Sequence, residues 1–126
     1  MSITYQIDSD AGMLFIVADG KTTQSERLEA MRKTLNDPAY RRGLHTLCDF
    51  TAAITIPTLS ELEEIAGEIR RHAAAIGRKK LAIVASRPET FGVARQFGAL
   101  APGALLTVQV FKDRHAALAW LTESSA

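Results

Sequence analysis

Residues 44–69 read LHTLCDFTAAITIPTLSELEEIAGEI. Leu44 to Phe50 is a short, mostly apolar run, the length of a buried strand. Thr51 to Pro57 is a connection of seven residues without a charge. Thr58 opens a helix: Thr58 with Glu61, and Ser60 with Glu63, both have the spacing of a capping box. Leu62, Ile65, Ile69, His72 and Ile76 then recur at steps of three and four, which predicts one apolar stripe, and Gly77 is placed to end it.

The same strand-then-helix pattern repeats downstream. Leu81 to Ala85, LAIVA, has no polar face, as expected of a central parallel strand covered on both sides. Ser86 with Glu89 predicts a capping box, with Pro88 in the first helical turn, and Phe91, Ala94, Phe97 and Leu100 line that helix. Leu105 to Phe111 alternates as a last strand, Asp113 caps a last helix, and the terminal ESSA is expected to fray.

Upstream, Ile3, Tyr5 and Ile7 alternate with polar residues, and Asp8 to Gly12 is a turn sequence. Met13 to Ala18 is apolar on both faces, so the pair should form an antiparallel hairpin. Thr23 with Glu26 then caps a helix whose inner face should carry Leu28, Met31 and Leu35, with Arg27, Glu29, Arg32 and Lys33 outside. Asn36-Asp37-Pro38 stops it. The expected order is β-β-α-β-α-β-α-β-α. That is an α/β fold with a single mostly parallel five-stranded sheet and an antiparallel N-terminal strand, filling residues 1–126 as one domain.

With 15 basic and 14 acidic residues in 126, the net charge of +1 gives no global pull toward nucleic acid, and no nucleic-acid partner is expected. Cys48 is the only cysteine, so no intramolecular disulfide can form. The N-terminus lacks a signal-peptide pattern, and the apolar run from Met13 to Ala18 is far below the roughly 20 residues that cross a bilayer. A soluble cytoplasmic protein is expected, with peripheral membrane contact as an alternative.

The reactive residues do not assemble into a site. His45 and Cys48 stand three apart on a strand and face opposite ways. His72 falls on an apolar stripe, His115 in the first turn of the last helix, and Cys48 reads as a small buried hydrophobe. Nucleophile-elbow and phosphate-loop motifs are missing from the sequence, and Glu61, Glu63 and Glu64 suit the dipole of a helix start. No enzyme, cofactor or metal is expected.

A ligand in a parallel sheet sits beyond the carboxyl ends of the strands. That edge should gather Asp49, Phe50, Thr51, Ile54, Ile56, Thr58, Ser60, Ser86 and Arg87, which are the candidate site residues. Helix N-termini there would offer amide donors to an anion, reinforced by Arg87; alternatively, Thr58, Ser60 and Ser86 only cap helices. Ile54 and Ile56, in an uncharged loop, either fold back over the core or form a lid over an apolar pocket or a membrane-dipping edge. At the opposite end, Arg41, Arg42, Arg70, Arg71, Arg78, Lys79 and Lys80 should form a solvated cap, with an anionic partner as the alternative.

Four stretches carry a resemblance: DGKTTQSE at 19–26, DPAYRRGLHTLCDF at 37–50, RPETFGVARQFGAL at 87–100 and VFKDRHAALAWL at 110–121. In this order they resemble the SpoIIAA-like family, which shares the STAS fold of anti-sigma-factor antagonists and sulfate-transporter tails. The resemblance spans about residues 3 to 122. It implies either a protein–protein regulator or, through a further likeness to CRAL-TRIO-like lipid-binding domains, an apolar or lipid-like ligand. Regulatory members carry a phosphorylated Asp-Ser-Ser-Gly-like element at the start of the second helix. The matching place here keeps hydroxyls at Thr58 and Ser60 but lacks that Asp and Gly, and Glu61, Glu63 and Glu64 would repel a phosphate. The expected partners are therefore an apolar or amphipathic small ligand, a membrane surface, a regulatory protein, or a second copy in a homodimer.

Overall fold

The computed structural model describes residues 2–123, so the expected fraying at the C-terminus falls, apart from Glu123, outside the described residues. Five strands form one sheet in sequential order: β1 (Ile3–Asp8), β2 (Met13–Gly20), β3 (His45–Ala53), β4 (Lys79–Val84) and β5 (Leu106–Phe111). β1 runs antiparallel to β2, and every other pairing is parallel. The helices are α1 (Gln24–Asn36), α2 (Leu59–Arg71), a single turn α3 (Ala73–Ile76), α4 (Pro88–Leu100) and α5 (Arg114–Leu121).

Sequential strand order determines the layering. Crossovers of one hand between successive parallel neighbours put their helices on one face, so α1, α2 and α4 share a layer. α5 follows the last strand and is free to cover the other face. Two cores result. Cys48, Leu62, Ile69, Leu81, Ile83 and Phe97 pack beneath the three-helix layer. Met13, Leu47, Ala82, Val84, Ala117 and Leu121 pack beneath α5.

Four local expectations are corrected. β3 runs on to Ala53, because a bulge between Val17 and Asp19 re-registers β2 so that Asp19 and Gly20 pair with Ala52 and Ala53. The free connection is therefore only Ile54–Pro57. Of the two capping boxes proposed for α2, only Thr58 with Glu61 forms. No box forms at Ser86 and Glu89. Pro88 sits in the first turn and holds Arg87 extended (φ −84°, ψ 143°), so Arg87 is the cap residue and Ser86 lies outside the helix. Finally, the helix expected to reach Gly77 ends at His72, where the chain turns and restarts as α3.

α1 is also rotated from the expected face. Its inward positions are Arg27, Ala30, Met31, Thr34 and Leu35, a proper helical stripe that happens to include one arginine and one threonine. Leu28 is left half-buried beside it. Among the described residues, no helix is long and apolar enough to cross a membrane.

Candidate functional site: a cavity between the sheet and its helical layer

α1 leans on β1, whereas α2 packs against α4. The gap between these two units is a cavity of about 230 Å³. One water molecule needs about 10–15 Å³ measured in this way, so the space is more than ten times that. Its floor is the inner face of the sheet: Leu14 and Ile16 of β2, Thr46, Cys48 and Phe50 of β3, Leu81 and Ile83 of β4. Period-2 alternation put those side chains there, and the same alternation sent Asp49 to the α5 face. The roof is Met31 and Leu35 of α1, Leu62, Ile65 and Ile69 of α2, and Val93, Ala94 and Phe97 of α4.

One end of the cavity lies at the carboxyl ends of the strands. Thr22, Arg27, Ala53, Thr55, Ile56 and Pro57 surround it. The Ile54–Pro57 segment is tied down on both sides. The Thr22 amide donates to Thr55 Oγ1 (2.7 Å), and Thr55 Oγ1 donates back to the Thr22 carbonyl (2.9 Å). The Arg87 guanidinium donates to the carbonyls of Ala53 and Ile54 and lies 3.7 Å from Glu89. Beside this end, Ile54, Ile56 and Leu59 form an apolar rim, respectively 59%, 38% and 55% exposed.

Four polar groups in the wall matter. Arg27 donates to Gln24 Oε1 and Thr22 Oγ1, both at 3.1 Å, and lies 3.7 Å from Glu61, so its charge is compensated. Thr90, in the first turn of α4, is buried, and its hydroxyl has no hydrogen-bond partner among the described residues. Lys79 is not part of the solvated basic cap expected at that end. It faces inward at the start of β4, and burial lowers its pKa to about 8. Its ammonium donates to Thr46 Oγ1 at 2.9 Å and stands 5.9 Å from the centre of the Tyr40 ring. Cys48 is raised to about 12 by burial and stays a neutral thiol.

The candidate residues from the sequence separate into three groups. Phe50 and Ile56 line the cavity. Ile54, Thr58, Ser60, Ser86 and Arg87 lie around its carboxyl-edge end: Thr58 is spent on the α2 cap, Ser60 and Ser86 are exposed, and Arg87 holds the loop. Asp49 and Thr51 belong to the far face, where Asp49 Oδ2 lies 3.3 Å from Arg114 and Asp49 Oδ1 accepts from Thr51. Sequence reading missed Lys79, Thr46, Thr90 and Arg27. A lysine at the polar position of an otherwise apolar strand face was the one signal available for the first of these.

A solved structure shares this architecture. It is the crystal structure of an uncharacterized protein of the DUF3478 family from Shewanella loihica PV-4, described as having a SpoIIAA-like fold. The two superpose with a TM-score of 0.63 over 94% of this chain and 91% of that one, at 19% identity. This chain has a SpoIIAA-like fold. Identity at that level establishes the SpoIIAA-like architecture alone. No family model and no curated protein matches the sequence significantly.

Proposed function

We propose that this domain is a non-enzymatic binding module that holds an apolar or amphipathic small molecule between its sheet and the α1/α2/α4 layer, entering past the Ile54–Pro57 segment. The observation that carries this reading is the cavity itself: about 230 Å³, walled almost wholly by apolar side chains. An unfilled void of that kind forgoes several kcal/mol of packing by the usual relation of cavity volume to stability. The orphaned Thr90 hydroxyl adds a polar group with nothing to bind but an occupant. The exposed rim of Ile54, Ile56 and Leu59 supplies a surface for a lipophilic molecule, or the lipid layer that delivers it, to meet first. The CRAL-TRIO-like resemblance points the same way.

The test uses N-phenyl-1-naphthylamine, an uncharged lipophile that fluoresces in dry surroundings. Saturable 1:1 enhancement is expected, weakened at least about tenfold by Ile56→Asp at the mouth. Ala30→Phe, which fills the space from α1, should abolish it while the protein melts cooperatively. In parallel, vesicle flotation should fall when Ile54 and Ile56 are both changed to Asp. Absence of dye binding, or binding indifferent to Ile56→Asp and Ala30→Phe, removes the cavity as the site.

A further inference from the structure

Lys79 is a half-buried lysine in the cavity wall. An ammonium carries three N–H donors and a full charge, and one partly withdrawn from water gains from any group that compensates it. Here one donor reaches Thr46 Oγ1 and the Tyr40 ring faces the charge. The other two donors have no acceptor among the described residues, and no carboxylate of those residues lies within 4 Å. Thr46 Oγ1 itself donates to the Leu44 carbonyl, so it is held as an acceptor for Lys79. Cys48, the neighbour that could become an anion, stays protonated because it is buried. The group is thus a half-buried cation in the wall of an apolar cavity, with no carboxylate partner among the described residues.

The shape of the space completes the picture. Lys79, Thr46 and Tyr40 lie where the parallel strands begin, and Ala53 and Ile56 lie where β3 ends. Thr46 and Ala53, both in the wall, are seven residues apart on β3, about 23 Å at roughly 3.3 Å per residue. Across the sheet the lining runs nearly as far, from Ile3 of β1 to Leu106 of β5, about 19 Å at roughly 4.8 Å per strand, so the space suits an extended apolar body. Arg27, the other cation in the wall, is already paired with Glu61.

We infer that the occupant is a lipophilic carboxylic acid, its carboxylate seated on the Lys79 ammonium and its apolar body lying under Met31 and Leu62. The inference rests on the cavity being a binding site and deepens that reading by naming the ligand class. The carboxylate accepts the two idle donors, and the apolar wall takes the methylenes. An alcohol of equal length gains the same wall contacts without the ion pair. Hydrogen bonds between charged partners are worth about ten- to a hundredfold in affinity over that alternative.

The test compares decanoic acid with 1-decanol by calorimetry on the full chain at neutral pH. The acid is expected to bind at least tenfold more tightly to the wild type. Lys79→Met should erase that preference and leave decanol binding intact. With carboxyl-labelled decanoic acid, the bound headgroup should stay ionised well below the pH at which the free acid protonates, a readout that needs no variant. Acid and alcohol binding alike, or a preference that survives in Lys79→Met, overturns the carboxylate while leaving the cavity reading standing. Neither compound nor the uncharged dye binding overturns both. Should Lys79→Met fail to fold, the wild-type preference and the labelled headgroup decide the matter.

Discussion

Lys79 and Lys80 are neighbours in sequence and strangers in space. Strand alternation turns Lys80 to the α5 side, where its ammonium donates to the Trp120 carbonyl at 3.0 Å and lies 5.1 Å from the centre of the Trp120 ring. The same alternation turns Lys79 into the cavity. Arg70 and Arg78, by contrast, behave as the charge pattern suggested, donating to the Leu100 and Ala104 carbonyls at the surface. Thr90 is the second residue whose chemistry its own surroundings leave unsatisfied. Replacing a buried, partnerless hydroxyl by a methyl of similar shape removes a desolvation cost without opening a void. Thr90→Val should therefore stabilise the ligand-free protein by about 1 kcal/mol, a rise of a few degrees in Tm by calorimetry. An unchanged or lowered Tm would show that the hydroxyl is satisfied after all.

At the scale of elements, the segment after β3 and the break at His72 are the informative ones. Ile54–Pro57 carries apolar side chains at the surface, yet its backbone is clamped through Thr22, Thr55 and Arg87. A clamp with an apolar rim is suited to admit a ligand through small side-chain movements rather than by loop unfolding. The α2–α3 break has a different cause. His72 Nδ1 lies 2.9 Å from the Glu68 carbonyl, and the chain then needs a sharp exit into β4. Gly77 provides it, with φ at +75° and no room for a side chain: a Cβ there would lie 2.7 Å from the Gly43 nitrogen. Gly77→Ala should cost about 2 kcal/mol or more, read as a lower urea midpoint. Gly103→Ala, in open space, serves as the control and should move the midpoint little. Equal effects at the two sites would contradict the close approach.

Over the whole molecule, the half-buried Lys79 makes stability depend on pH. Lys79 is lowered from 10.5 to about 8, so below pH 8 both folded and unfolded chains are protonated and the fold carries the cost of a partly desolvated charge. Between about 8 and 10.5 the folded protein gives up this proton before the unfolded chain does, and stability rises with pH. Cys48 acts in the opposite sense above its ordinary 9.0, because the unfolded thiol ionises while the buried one, at about 12, does not. The window from pH 8 to 9 is therefore the clean one. Lys79→Met should be the more stable protein at pH 7, by on the order of 3 kcal/mol, and its advantage should shrink as pH rises through that window. Urea titrations at each pH measure the difference. A constant gap would mean the ammonium is solvated.

The chain's own pattern was enough for the order of elements, the antiparallel hairpin, the parallel remainder and the caps at Thr23, Thr58 and Asp113. These depend on periodicity and on hydrogen bonds between residues three apart, which are local quantities. The uncharged segment near Ile54 and Ile56 also stood out in the sequence, and Ile56 lines the cavity. Tertiary structure alone decided the rest. Where α1 lies relative to α2, and hence whether a space opens between them, depends on how two helix faces meet β1 and α4. The rotation that turns Arg27 and Thr34 toward the cavity and leaves Leu28 beside it is set by that same packing. Most of all, a charged residue reads as surface in any local window. Only the register of β4 against β3, which sets Lys79 beside Thr46 in the cavity wall, turns it inward.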